Sequence, residues 1–428
     1  MVRADAARDL SLSRPLAGEE APLEAPSPLT ADEVLAALPD DGIGILLYVT
    51  GVGGEPTTVF ILAGEEINAA TLAPIDSLRD DIERLAALVR SGTEPGSVVA
   101  RLGLELLQPA VAELPASVRR LAIVPDGVLH RIPWDVLRLA GGERTVERYS
   151  VGTVPSASVL AELWRKGAPP TASTLLAFGD PARPTRGEEE AGTASRRSSL
   201  EALGRDLPPL PGSAREARFV ARFAEQSQVR TGAGATEAFL KATPLDGFRV
   251  LHFATHALVD EATVSRTALV LAPEGEEDGF VLPGDLARLS LQADLVVLSA
   301  CRTAGGSVIR GEGIQGLTGP LLEAGARSIL ATGWDIEDRA GRRFVEDLYR
   351  AVARGETVGE SLRSAKLAAI DRGETVAHWA AFSLVGDPDV RVVLNQPTPS
   401  RTVLLGFSST LLLAAIFFLL AVRRRRSE

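Results

Sequence analysis

The sequence is poor in the residues that build disulfide frameworks and zinc clusters. It contains one cysteine, Cys301, and four histidines among 428 residues. A single thiol cannot form a disulfide within the chain, and one Cys with four His falls short of a clustered Cys-rich zinc site. A lone cysteine suits a reducing compartment, or it has a chemical role of its own. We therefore expect no metal and no disulfide.

Basic side chains are also scarce in the body of the chain. The last 28 residues hold five Arg and one Glu. Residues 1–400 therefore carry 40 basic and 55 acidic side chains, and are more acidic than the chain as a whole. A body this acidic repels phosphate backbones, and no basic stripe with interspersed aromatic residues offsets it, so we expect no nucleic-acid partner. Apolar residues at 45% and charged residues at 24% exclude a wholly disordered chain.

The common nucleotide and serine-hydrolase motifs are absent or misplaced. No lysine follows a glycine, so there is no P-loop, and no G-x-S-x-G elbow occurs. Gly311-Glu-Gly-Ile-Gln-Gly316 matches G-x-G-x-x-G, and Asp335 comes nineteen residues later. Its first glycine follows Cys301 by ten residues instead of forming the tight turn directly after a strand. This spacing disfavours dinucleotide binding, and no cofactor is expected.

The two ends of the chain differ in character. Residues 1–35 are polar, without the apolar core of a signal peptide, and are interpreted as a flexible leader. At the other end, a linker at 396–401 precedes 402–422, which are 21 uncharged, mostly apolar residues. At about 1.5 Å per residue, this run is long enough to cross a hydrocarbon core of about 30 Å. It predicts a single-pass membrane helix, followed by a basic tail at 423–428.

The signals for the orientation of this predicted anchor conflict. Four Arg after the span favour a cytoplasmic C-terminus with residues 1–400 outside, but no signal peptide is present to export them. A cytoplasmic body would require the four Arg to cross the bilayer. The sequence favours the cytoplasm only slightly for the catalytic domain.

Between the two ends, apolar and amphipathic segments alternate. The order predicts an α/β fold, a doubly wound and mostly parallel sheet flanked by helices, with an N-terminal part at 36–170 and a catalytic part at 171–395. A polar, Pro-rich segment at 181–212 interrupts the pattern, and it is interpreted as a solvated loop or a processing segment cleaved at Arg196-Arg197. Strands are predicted at 44–50, 59–62, 120–124, 248–255, 293–300 and 328–332. Helices are predicted at 75–89, 98–107, 316–324, 338–354 and 358–372, and after a capping box at Ser213-Ala-Arg-Glu216.

The predicted chemistry centres on His256 and Cys301. Each follows a largely apolar strand, and the carboxyl ends of parallel strands form the edge where open α/β sheets bind ligands. If the two strands are neighbours, their ends lie about 5 Å apart, so an imidazole can take the proton of the thiol. The backbone N–H groups of Ala257 and Cys301 are the candidate oxyanion donors. The alternative is that Cys301 is a small buried residue of the core without a chemical role.

Several further motifs occur in a fixed order, and together they resemble the CHAT family, caspase-like peptidases of bacteria often found beside tetratricopeptide repeats. The resemblance covers about residues 40–395. Its motifs are Val124-Pro-Asp-Gly-Val-Leu-His-Arg-Ile-Pro-Trp-Asp-Val-Leu137, Phe178-Gly-Asp-Pro181, Leu251-His-Phe-Ala-Thr-His-Ala257, Leu298-Ser-Ala-Cys-Arg-Thr-Ala304, Gly311-Glu-Gly followed by Leu321-Leu-Glu-Ala-Gly-Ala326, and Trp379-Ala-Ala-Phe-Ser-Leu-Val-Gly-Asp-Pro388.

This resemblance implies a caspase-like fold and a Cys–His dyad, with His256 as the base and Cys301 as the nucleophile. For the substrate pocket of such a fold, Asp180 and Asp335 are candidates to bind a basic side chain of a protein or peptide substrate. His252, in the middle of its strand, is expected to be structural or to support a residue of the site. His130 is expected to be a surface or packing residue, and His378 has no obvious partner in the sequence.

Two departures from the family pattern motivate a second hypothesis. Ala257 stands where the family usually has Gly, and no repeat of the tetratricopeptide type is visible, so the usual adaptor is either a separate protein or absent. The alternative function is therefore a catalytically inactive module that recruits partners at the membrane.

Overall fold

The computed structural model describes residues 29–39, 42–165, 173–182, 207, 209–258, 267–299 and 315–397. These residues form fourteen named strands and thirteen α-helices. The strands are β1 Ile43–Val49, β2 Thr57–Ala63, β3 Glu66–Leu72, β4 Arg120–Val124, β5 Ser150–Thr153, β6 Thr174–Pro181, β7 Gln226–Gly232, β8 Val250–Ala254, β9 His256–Leu258, β10 Ala268–Val270, β11 Phe280–Val281, β12 Leu295–Leu298, β13 Ser328–Thr332 and β14 Phe382–Gly386.

The helices flank the strands and vary from one turn to four. They are α1 Ala31–Leu35, α2 Arg79–Arg90, α3 Val98–Leu102, α4 Gln108–Ala112, α5 Thr145–Arg148, α6 Ala157–Arg165, α7 Pro211–Val220, α8 Glu237–Ala242, α9 Pro283–Ala287, α10 Gln315–Glu323, α11 Asp338–Val352, α12 Val358–Asp371 and α13 Val376–Trp379. A π-helical turn, Gly103–Leu107, joins α3 to α4, and short 3₁₀ turns cover Ile75–Ser77, Gly127–Arg131, Trp134–Val136 and Ala221–Phe223.

Eleven strands form one sheet, in the order β3-β2-β1-β4-β5-β14-β13-β12-β8-β6-β7. It is mostly parallel, as the sequence predicts, but nine of its strands form two parallel halves that run in opposite directions, and β2 and β3 extend the first half through antiparallel pairings. The first contains β1, β4, β5 and β14, and the second contains β13, β12, β8, β6 and β7. The halves meet where β14 pairs antiparallel with β13. The carboxyl edge of the second half is therefore on the side opposite to that of the first.

The central strands of the sheet are buried on both faces, which explains why they are continuous apolar runs. Alternate residues of each strand belong to different core clusters: Val250 and Val297 pack on one face, and Leu251 and Val296 pack on the other. The first cluster runs across both halves of the sheet, whereas the opposite face carries one cluster over each half. The second half therefore provides a rigid support for residues that follow its strands.

The structure corrects the predicted single-pass membrane localisation and the cytoplasmic placement that depended on it. Among the described residues, no helix is long and apolar enough to span a bilayer. The longest of those helices, α11, has 15 residues, or about 22 Å at 1.5 Å per residue, and this falls short of a hydrocarbon core of about 30 Å. The run 402–422, on which the prediction rested, lies outside the described residues.

The chain divides into two compact units, Met1–Leu394 and Asn395–Glu428. The first contains every strand and helix given above. Of the second, the structure describes 395–397 alone. The predicted segments 396–401, 402–422 and 423–428 fall in or beyond this short stretch, and most of the predicted loop 181–212 also lies outside the described residues.

Candidate active site

Strands β8 and β12, which precede His256 and Cys301, are hydrogen-bonded neighbours in the second half of the sheet. They run parallel, with Val297 opposite His252 and Leu298 opposite Phe253. This confirms the adjacency on which the predicted dyad depends. Strand β6 lies on the other side of β8, with Gly179 opposite Ala254, and β13 lies beyond β12. Four strands therefore deliver their carboxyl ends to one edge.

His256 is displaced slightly from the predicted end of its strand. Strand β8 ends at Ala254, the chain bends at Thr255, and His256 opens β9 in a separate three-stranded sheet, where it pairs with Val270 of β10. The Thr255 hydroxyl donates a hydrogen bond to the carbonyl oxygen of Val270, which ties the bend to β10. His256 exposes 2% of its surface. The backbone of His256 thus belongs to a β-strand and not to a loop.

The small sheet that carries His256 is itself anchored by a buried carboxylate. Glu237, at the start of α8, accepts a hydrogen bond of 2.7 Å from the N–H of Gly279 and pairs with Lys241 at 2.8 Å. Burial raises the pKa of Glu237 above its ordinary value, although Lys241 opposes the shift. Gly279 has a φ of 86°, and a Cβ there would lie 2.5 Å from the carbonyl oxygen of Leu271, so only glycine fits this close approach.

The predicted nucleophile, Cys301, lies outside the described residues, and so does most of the G-x-G-x-x-G match at 311–316. The last described residue before it is Ser299, which is buried directly after β12. Ala257, one predicted oxyanion donor, sits in β9 opposite Leu269 with its side chain in the core. The roles of Cys301 and Ala257 therefore stay predictions.

Asp180 is held at the carboxyl end of β6 in an unusual backbone conformation. Its φ of 47° lies in the left-handed region, and it is the one residue other than glycine with a positive φ among those described. Its N–H donates to the Ser213 hydroxyl at 3.0 Å, that hydroxyl donates to the Leu210 carbonyl at 2.8 Å, and the Leu210 N–H donates to Asp180 Oδ1 at 2.7 Å. This ring of bonds fixes Asp180 to the start of α7.

Asp335 lies on the same edge, two strands away from β8. It follows β13 by three residues and is exposed. Its neighbour Trp334 donates a hydrogen bond from Nε1 to the carbonyl oxygen of Ala377 at 2.8 Å, which fixes the segment that leads into α11. Asp180, at the carboxyl end of β6, and Asp335, after β13, thus lie on opposite sides of the β8–β12 pair.

A buried polar cluster behind this edge is not predicted by the sequence. His252 Nε2 lies 2.9 Å from Glu216 Oε1, and His252 Nδ1 lies 3.0 Å from the Tyr349 hydroxyl. All three side chains are buried. Burial, together with the negative charge of Glu216, raises the pKa of Tyr349 well above its ordinary value, so the phenol stays protonated. We call these three residues the His252 cluster.

The predicted capping box hides the role of Glu216. Helix α7 begins at Pro211, two residues before Ser213, because proline suits the first turn of a helix. The Ser213 hydroxyl is therefore free to bond Asp180 and Leu210, and Glu216 turns inward to His252. Glu216 lies on the apolar face of an amphipathic helix, where a charged side chain becomes buried and needs a partner. This position is the signal in the sequence that could have revealed its inward orientation.

Within the described part of the chain, no group of three or more His, Cys, Asp or Glu side chains is arranged to hold a metal ion. The described residues place His256 two residues after the end of β8, Asp180 at the carboxyl end of β6 and Asp335 three residues after β13.

Comparisons with known proteins agree with this architecture. A model of the CHAT domain matches residues 97–387. A mouse protein called Tetratricopeptide repeat protein 28 is 27% identical over 330 residues, and its human counterpart is 25% identical over the same length. The alignments cover 65% of this chain but 12% of those relatives. Both are mammalian and carry the repeats in their names, so a bacterial origin and a repeat-free organisation are not shown.

Among solved structures, the separase–securin complex of Saccharomyces cerevisiae matches 83% of this chain and 30% of the yeast chain, with a TM-score of 0.50 and 11% identity. The complex of the pro- and mature domains of RgpB from Porphyromonas gingivalis matches 74% of this chain and 77% of its own, with a TM-score of 0.41 and 10% identity. The likeness to the separase–securin structure concerns the fold alone.

Proposed function

Because the chain belongs to the CHAT domain family, we propose that it is a cysteine endopeptidase in which His256 and Cys301 form the catalytic dyad. The observation that carries the proposal is the pairing of β8 with β12. Position 301 comes three residues after Leu298, and His256 comes three residues after Phe253, the partner of Leu298. Chain connectivity keeps the Cα atom of Cys301 within roughly 8 Å of that of Ser299.

The proposed reaction uses the two residues in turn. His256 takes the thiol proton, and the Cys301 thiolate attacks the scissile carbonyl carbon. The protonated imidazole then gives the proton to the leaving amine, which leaves a thioester on Cys301. Water, deprotonated by His256, hydrolyses this thioester and restores the thiol. The N–H groups of Ala257 and Cys301 would stabilise the negative oxygen in both steps.

The substrate we propose is a protein or peptide with a basic side chain next to the cleaved bond. Asp180 and Asp335 support this assignment, since Asp180 lies at the carboxyl end of β6 and Asp335 follows β13, both at the edge that carries His256. Only one oxygen of the Asp180 carboxylate accepts a hydrogen bond from the described residues, so the other could bind a guanidinium or ammonium group.

A specific observation favours the second candidate, a catalytically inactive module that binds partner proteins. Ala257 replaces the glycine that is usual in the family. It lies in β9, is paired with Leu269 of β10, and has its side chain packed in the core. Its N–H therefore has less freedom to turn towards a developing oxyanion.

Alkylation by iodoacetamide separates the two candidates, because Cys301 is the one thiol in the chain. An activated dyad should react at neutral pH at least about tenfold faster than a free thiol of pKa about 8.5, and His256→Ala should remove the advantage. His378→Ala is the matched control, since it also removes an imidazole but His378 lies on α13 and on neither of the strands β8 and β12. A wild-type rate no faster than that of glutathione, or an unchanged rate in His256→Ala, would favour the inactive module.

A further inference from the structure

The His252 cluster is a buried junction between three elements, and the proposed reaction does not use it. His252 lies in β8, Glu216 in α7 and Tyr349 in α11. A carboxylate can only accept a hydrogen bond, so His252 Nε2–H donates to Glu216, and the Tyr349 hydroxyl bonds to Nδ1. Both ring nitrogens are thereby satisfied without water. The T-shaped contact of the His252 and Tyr349 rings, at 5.6 Å, adds to the junction.

Helix α7 connects this junction to Asp180. Glu216 lies one turn after Ser213, on the same face of the helix, and Ser213 and Leu210 hold Asp180 through the ring of hydrogen bonds described above. The helix also touches β6 directly, because a Cβ at Gly179 would lie 2.6 Å from the carbonyl oxygen of Ser213. A shift of α7 therefore moves Asp180.

Helix α11 connects the same junction to Asp335. The helix begins at Asp338, three residues after Asp335, and Tyr349 lies in its penultimate turn. Between Asp338 and Tyr349, the ring of Phe344 stacks on that of Phe382 of β14 with ring centroids 4.3 Å apart, and this contact holds the helix against the sheet. Helices α7 and α11 also pack against each other.

We propose that His252 is a positioning residue for substrate binding: through Glu216 and Tyr349 it holds the two helices that set the spacing of Asp180 and Asp335. This inference rests on the proposed function and specifies how its pocket for a basic side chain is kept in shape. His252 itself touches neither the substrate nor His256 in this account. The role belongs to the His252 cluster as a unit, because each bond satisfies a group that no water reaches.

The consequence is a split between binding and chemistry. Tyr349→Phe removes one hydroxyl and leaves His252 Nδ1 buried without its hydrogen-bond partner, which is unfavourable. Relief of that cost requires α11 to move relative to β8, so the two pocket walls separate while His256, held by β9 and β10, keeps its place. Substrate affinity should fall, and the rate of the chemical step should not.

The experiment compares Tyr349→Phe and Glu216→Ala with two controls. Tyr48→Phe removes another buried tyrosine hydroxyl. Tyr48 lies in β1, in the first half of the sheet, and its hydroxyl donates a hydrogen bond of the same 3.0 Å length to the carbonyl oxygen of Leu106. Glu216→Gln keeps an oxygen that can accept from Nε2–H and should rescue the loss seen in Glu216→Ala. The measurements are kcat and KM on fluorogenic peptides with Arg before the cleaved bond, and the concentration of benzamidine that protects Cys301 from iodoacetamide.

We expect Tyr349→Phe and Glu216→Ala to raise KM and the protecting benzamidine concentration by about tenfold, with kcat unchanged within about a factor of two. Tyr48→Phe and Glu216→Gln should resemble the wild type in both. Equal KM values in Tyr349→Phe and Tyr48→Phe, or a loss confined to kcat, would overturn the proposal.

Benzamidine protection needs no turnover. If the wild type cleaves no peptide but is protected, the proposed peptidase activity fails, and the protection series alone decides the role of His252. Absence of protection in the wild type would overturn the positioning proposal.

Discussion

Lys366 and Asp135 form an ion pair inside the protein, far from the candidate active site. Lys366, on α12, has none of its surface exposed, and its ammonium group donates to the Asp135 carboxylate in the turn Trp134–Val136. The two residues are 231 positions apart, so the pair joins the N-terminal half of the chain to the helices that cover the sheet. A buried charge of this kind is tolerated because its partner is present.

Replacement of one partner should therefore be costly. Lys366→Met leaves the Asp135 carboxylate without its cation and should lower the free energy of unfolding by about 3–5 kcal/mol, measured by urea denaturation followed through tryptophan fluorescence. Arg79→Met is the control, because the Arg79–Asp76 pair is exposed and should contribute less than about 1 kcal/mol. Losses of equal size in the two variants would contradict the structural role given to Lys366.

At the scale of elements, helix α7 lies in close contact with β6 near the candidate site. A Cβ added at Gly179 would lie 2.6 Å from the Ser213 carbonyl oxygen and 2.9 Å from the Ala217 Cβ atom. Neither neighbour is the end of a flexible side chain, so the helix itself must move to admit it.

Gly179→Ala should for this reason destabilise the fold by about 1–3 kcal/mol, the usual cost of overpacking. Gly247→Ala is the matched control, since nothing lies within 4 Å of its Cβ position and its φ is not positive. That variant should be neutral or slightly stabilising, because alanine restricts the unfolded chain. Thermal unfolding of both proteins makes the comparison, and a Gly179→Ala protein as stable as Gly247→Ala would show that the contact is not tight.

The elements that the sequence predicts well are those whose own pattern is sufficient. Strands 120–124 and 328–332 agree with β4 and β13, and helices α11 and α12 begin where their amphipathic patterns predict. Strands β5, β7 and β14 escape prediction because they are short or polar, and pairing with neighbours stabilises them. The antiparallel junction of β14 with β13 also depends on a contact between distant segments, which no local pattern encodes.

The candidate site shows the same division. Strands β8 and β12 are recognisable from the sequence as apolar runs, but their adjacency is only a condition of the predicted dyad, and the structure is what shows the pairing. The His252 cluster is not predictable, because Glu216 and Tyr349 lie 36 and 97 residues away from His252 along the chain. A buried polar residue signals only that partners exist, and the fold decides which ones they are.

At the scale of the whole molecule, the three tyrosines report on global unfolding. Tyr48, Tyr149 and Tyr349 are all buried, and burial raises the pKa of each phenol above its ordinary value of about 10. Below that pH the phenols are protonated in both states. Above it the unfolded chain loses these protons while the folded chain keeps them, so stability falls as the pH rises.

Near-ultraviolet absorbance of tyrosinate should therefore stay flat through about pH 10 in the folded protein and rise there in urea. In native buffer the absorbance of all three residues should appear together, at the pH where the protein unfolds. Ionisation of a tyrosine near pH 10 in the folded state would show that its ring reaches water.

The central claim is that this CHAT-domain chain cleaves peptide bonds with Cys301. The most direct test is turnover of a peptide library by the wild type and by Cys301→Ala at equal protein concentration. We expect cleavage by the wild type, enriched at peptides with Arg or Lys before the cut bond, and a loss of kcat/KM by a factor on the order of 10⁴ in Cys301→Ala. Equal turnover by the two proteins would contradict the assignment of Cys301 as the nucleophile.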